Sequence, residues 1–84
     1  MNEPLESVFE NRDRSRFFCF ALKGITKPEG WPRRLAYGID PADALEILSY
    51  RLSKKEMRQI VKDDFVTLHH QREIPALARE GKLA

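Results

Sequence analysis

The pattern is dominated by an unbroken apolar run at residues 17–22, Phe-Phe-Cys-Phe-Ala-Leu, with Arg16 before it and Lys23-Gly24 after it. Its length and aromatic content predict a buried strand rather than a helix. Residues 23–34 then hold Gly24, Pro28, Gly30 and Pro32, with Trp31 between the last two, a density of backbone breakers that predicts an irregular loop. Residues 34–39 alternate, with Leu35, Tyr37 and Ile39 on one side, and predict a second strand antiparallel to the first. Two strands alone are unstable in water, so helices are expected to cover one face.

The helical signals lie further on. Asp40-Pro41-Ala42-Asp43 offers an N-cap, a proline for the first helical position and an acid where the helix dipole favours it. The helix it opens is expected to run to about residue 52, with Ala44, Leu45, Leu48 and Leu52 on one stripe. Ser53 and Glu56 have the spacing of a capping box. A second helix is expected from there to about residue 63, burying Met57, Ile60 and Val61 and exposing Lys55, Arg58 and Lys62. Asp63-Asp64 would end that helix against its dipole. Residues 65–68 are β-branched and apolar and predict a third strand. Residues 75–80 predict a last short helix, with Pro75 in its first turn and Gly81 as its stop. Leu5, Val8 and Phe9 would share one face of an N-terminal helix, the alternative being a loosely packed arm over residues 1–11. The expected fold is a small α+β domain spanning residues 1–84. A short antiparallel sheet of two or three strands is packed by two or three helices, in the order (α)ββααβα. The rival is an all-helical C-terminal half, with residues 65–70 joining a helix.

Eighty-four residues suffice for one domain, and 42% apolar with 33% charged residues is the balance of a soluble globule rather than a disordered chain. No segment approaches the ~20 apolar residues of a membrane span, and the acidic N-terminus lacks the apolar core of a secretory signal. Cys19 is the only cysteine, which excludes an intramolecular disulfide, and a cytoplasmic protein is expected. The net charge of +2 is too small to imply a nucleic-acid partner by itself. Charge is nevertheless blocked along the chain: −3 over residues 1–11, +5 over 12–34, −3 over 35–50, +4 over 51–62 and −1 over 63–84. Blocks of this kind suit a domain with oppositely charged faces or a head-to-tail assembly.

Chemistry-bearing motifs are scarce. Cys19 lies among phenylalanines, where a thiol is protonated and unreactive. His69 and His70 are adjacent and chelate poorly together, and no second cysteine or third histidine completes a zinc site. Phosphate-loop, nucleophile-elbow and paired-carboxylate patterns are missing. No catalytic residue, cofactor or metal is therefore expected. Arg12, Arg14 and Arg16 beside Phe17, Phe18 and Phe20, and the stripe Lys55, Arg58 and Lys62 joined by Lys54, are the candidates for a nucleic-acid surface. Their plainer reading is a buried strand with solvated arginines before it and a solvated helix face.

Two features favour a protein partner instead. Ile47 and Tyr50 lie off the main apolar stripe of the first helix, which widens its apolar arc. The loop around Trp31, with Arg33 and Arg34, presents residue types in which binding energy concentrates. The expected function is a small protein–protein interaction module: an adaptor, a regulatory inhibitor or a subunit. It would act by steric or scaffolding binding through Trp31, Arg33, Arg34, Tyr37, Ile47 and Tyr50. A homodimer is consistent with so small a core. A nucleic-acid-binding regulator is the alternative. The competing structural reading has Trp31 closing the end of the core, and Ile47 and Tyr50 lying under residues 1–11.

Overall fold

A computed structural model of the chain describes residues 15–25 and 30–84. Strands β1 (Arg16–Leu22), β2 (Arg34–Gly38) and β3 (Ile60–Leu68) form an antiparallel sheet in the order β2-β1-β3. With helices α1 (Pro41–Ser49), α2 (Lys54–Arg58) and α3 (Glu73–Arg79), the order is ββααβα, an α+β architecture. The expected N-terminal helix or arm, together with Arg12 and Arg14, lies outside the described residues.

The continuous apolar run occupies the central strand, where both neighbours and both faces remove it from water. Phe18 and Phe20 face α1 and α2, while Cys19 and Ala21 are buried on the other side. The core joins Phe18, Phe20, Ala36, Ala44, Leu48 and Ile60, with Leu22, Leu45, Leu52 and Met57 packed against it. Phe65 flanks it from β3, its ring centroid 5.7 Å from Phe18 and 5.5 Å from Phe20. Burying each such side chain contributes roughly 1.5–3 kcal/mol.

β2 turns its small residues toward the helices. Ala36 and Gly38 are buried, and a Cβ on Gly38 would meet the Ala44 nitrogen at 2.5 Å, so α1 lies almost on the strand backbone. The bulkier Leu35 and Tyr37 take the opposite face, with Tyr37 5.0 Å from Phe17 between ring centroids.

Both helix starts form as their sequences require. The Asp40 carboxylate accepts from the Asp43 amide at 2.7 Å, with Pro41 in the first turn. Ser53 and Glu56 exchange side-chain-to-amide hydrogen bonds of 3.1 Å each way.

The ends of the helices differ from expectation. α1 stops at Ser49, short of residue 52, and Tyr50, Arg51 and Leu52 turn back onto Ile47 and Leu48 carbonyls. α2 stops at Arg58 rather than near residue 63, and Ile60, Val61 and Lys62 begin β3. Ile60 and Val61 pair with Leu22 and Ala21, and the Lys23 amide donates to the Gln59 carbonyl at 2.7 Å. Pairing along the central strand thus overrides a helical pattern whose last residues, Asp63-Asp64, opposed the helix dipole. β3 is accordingly nine residues long, not four, and the all-helical alternative is excluded. α3 spans 73–79 instead of 75–80, and Gly81, at φ +73°, follows its C-cap.

Between Phe20, opposite Phe65, and Ala21, opposite Val61, the register shifts, and Lys62, Asp63 and Asp64 have no partner on β1. Beyond α3 the chain reaches the outer edge of β2. The Arg33 amide donates to the Lys82 carbonyl and the Ala84 amide to the Arg33 carbonyl, both at 2.9 Å, a single parallel bridge to Leu83. The peptide bond between Trp31 and Pro32 is cis.

Candidate functional site

The residues expected to form one protein-binding surface are distributed over three places. Arg33 is buried. Its guanidinium donates to the Asp64 carbonyl and carboxylate, each at 3.1 Å, and to the Cys19 carbonyl at 3.4 Å. It thereby spans the register shift between β1 and β3. Trp31, half-buried, has Arg33 5.3 Å and Lys82 5.4 Å from its ring, a cation–π arrangement on both. Arg34 lies on the helix side of the sheet, 3.7 Å from Glu56. Glu56 is held below the ordinary carboxylate range, chiefly by its hydrogen bonds from Ser53.

Tyr37 and Ile47 do come together. They line a cleft of about 440 Å³ with Phe17, Leu35, Leu48, Arg51 and Gln71. Tyr37 is 42% exposed, and among the described residues Arg51 has no ion-pair partner. Tyr50 stands beyond the cleft at 78% exposure, its hydroxyl 3.2 Å from the Glu46 carboxylate, which raises the phenol's pKa. Arg51 and Ile47, four residues apart, were legible as neighbours on a helical turn. Phe17 was not, because only cross-strand pairing with Tyr37 brings it there.

The basic stripe is not a helix face. Arg58 ends α2 and Lys62 stands on β3, yet two adjoining clefts of about 490 and 590 Å³ gather Lys23, Lys54, Arg58 and Lys62 around Met57. Lys55 is exposed and lines neither of them. Among the described residues, Asp63 is the single acid in their walls and none of the four cations forms an ion pair. Arg16 is at the opposite end of β1 from Lys23.

Cys19 is fully buried, and its thiol is pushed up to about 11, mainly by removal from water, with Glu73 adding to the effect and Arg33 opposing it. His69 and His70 are exposed, and among the described residues no cluster of His, Cys, Asp and Glu is placed to hold a metal. No helix among them is long and apolar enough to cross a membrane. Comparison with protein-family models, with curated proteins and with solved structures finds no match to this chain.

Proposed function

We propose that the chain works by binding another protein through the cleft between β2 and the C-terminal half of α1. The observation that carries this reading is the convergence of Phe17, Leu35, Tyr37 and Ile47, from three elements, on one apolar groove with the unpaired Arg51 in its wall. Apolar and aromatic walls with a single cation supply the desolvated centre and orienting charge of a recognition site. Arg33 and Trp31 support the reading indirectly, by holding the sheet that presents the groove. The action would be steric or scaffolding, and the buried, protonated Cys19 fits it.

A photo-cross-linking residue placed at Tyr37 or at Ile47, in the cells that make the protein, tests this. One adduct of defined size is expected from both positions and none from Lys55, and Ile47→Glu should remove the adduct formed at Tyr37. Absence of an adduct, or indifference to Ile47→Glu, overturns the reading.

The gathering of Lys23, Lys54, Arg58 and Lys62 favours a second reading, a nucleic-acid-binding regulator held by phosphate contacts. Its affinity for labelled DNA or RNA should fall linearly in log–log form with salt. Reversing Lys54 and Arg58 together should abolish it. Unchanged binding in that variant, or none at low salt, removes this reading.

A further inference from the structure

Resting on the protein-binding reading, we infer that the partner docks by adding an extended segment to the outer edge of β2, over Leu35 and Tyr37. Arg33 directs both its N–H and its C=O away from β1, to Lys82 and Ala84. Along a regular strand the direction of these groups repeats every second residue, and the pairing of 34–38 with β1 is regular. Leu35 and Tyr37 therefore point their N–H and C=O groups away from the sheet, and among the described residues no hydrogen bond satisfies them. The window has two closed ends: residues 82–84 cover Arg33, and the Asp43 carboxylate accepts from the Ile39 amide at 3.0 Å.

The cleft supplies an independent observation. Leu35, Ala36 and Tyr37 all line it, although their side chains alternate between faces. The cleft therefore adjoins this edge on both faces of the strand, and it also reaches Phe17 on the central strand and Gln71 beyond β3. Main-chain groups in register with a groove that takes alternate side chains are the geometry of strand addition.

The other edge of the sheet is guarded. β3 carries the unpaired Lys62, Asp63 and Asp64, and charges with an irregular register discourage strand pairing. The β2 window carries neither device. Its occupant is a short extended segment of a partner protein, with apolar side chains on one face toward Leu35 and Tyr37, apolar ones on the other toward Ile47, and an acid for Arg51. A second copy fits poorly. Antiparallel self-pairing about Ala36 would drive each Ile39 against the other's Arg33, where residues 82–84 already lie.

The intact protein is panned against a displayed library of random decapeptides, and the recovered peptide is synthesised with each residue N-methylated in turn. N-methylation should weaken binding about tenfold at alternate residues of the paired stretch, the size expected for one hydrogen bond. Amide exchange at Leu35 and Tyr37 should slow on binding, with Arg33 and Ile39 unchanged. Leu35→Pro, which deletes an outward N–H and leaves the bonds to β1, should cost a similar factor. Failure to recover a peptide, indifference to N-methylation or unchanged exchange at Leu35 and Tyr37 overturns the inference. So does slow exchange there in the protein alone: concentration dependence would identify a second copy, and its absence the chain's own residues. A cross-link at Tyr37 that persists in Leu35→Pro would leave the groove as a partner site while strand addition falls.

Discussion

The Arg33 guanidinium passes over the central strand and meets the Asp64 carboxylate at 3.1 Å, tying the loop before β2 to the unpaired residues of β3. The same nitrogen serves the Asp64 and Cys19 carbonyls, which the register shift between β1 and β3 leaves close together. Arg33 is thereby part of the sheet, and its charge is spent inside the fold.

Arg33→Ala should destabilise the protein by about 2–3 kcal/mol, since it strips the carbonyls of a charged donor and removes packing under Trp31. Asp64 is half in solvent, with its side chain 56% exposed, so Asp64→Asn should cost only about 1 kcal/mol. Urea denaturation of both variants measures the difference. Equal costs would show that the ion pair, rather than the buried guanidinium, carries the stabilisation.

Cys19 gives the fold an alkaline limit. Its thiol titrates near 9.0 when unfolded and at about 11 in the fold. A raised pKa on an acid means that the folded state favours the neutral form, so the stabilisation is intact below pH 9 and lost as pH rises toward 11. Two pH units correspond to roughly 2–3 kcal/mol. Denaturation midpoints should fall over that window more steeply than in Cys19→Ala, and the thiol should resist alkylation at pH 8 until urea unfolds the chain. Rapid alkylation of the native protein would contradict the burial.

Gly38→Ala should cost about 1–3 kcal/mol, because the new methyl would collide with the Ala44 backbone and push α1 off β2. Thermal unfolding measures the loss. Gly24→Ala is the control: nothing crowds its Cβ position, and only the strain of φ +82° opposes it.

Ser53→Ala removes half of the capping box and should cost about 1 kcal/mol. The Glu56 carboxylate, held below its usual range by Ser53, contributes stability above its unfolded pKa that is lost as pH falls through the lowered folded value. The Ser53 main-chain N–H is the chief donor to that carboxylate, so the wild type should lose more stability than Glu56→Gln on acidification through the carboxylate range. Parallel pH profiles of the two would show that the ionised carboxylate contributes nothing.

Much of the fold was legible locally. The run at 17–22 is apolar at every position, short and rich in aromatics, which suits a strand with neighbours on both sides. Asp40-Pro41 and Ser53…Glu56 satisfy helix starts with their own side chains, so neighbouring residues suffice to place them. Of the candidate site, the apolar side of β2 and the Ile47–Arg51 pair followed from strand and helix periods.

Tertiary structure decided what depends on partners distant in the chain. Ile60 and Val61 suit a helix face or a strand equally, and pairing with Ala21 and Leu22 made them strand. Arg33 reads as a free cation until the register shift brings Asp64 beneath it. Among the described residues, the outer edge of β2 is covered at Arg33 by residues 82–84, about fifty residues along the chain, and not beyond it. The sequence by itself determined the central strand and the starts of α1 and α2, because those rest on adjacent residues. Which charges are consumed and which edge is left unpaired was settled only when the sheet assembled, because each depends on contacts between segments that no local pattern specifies.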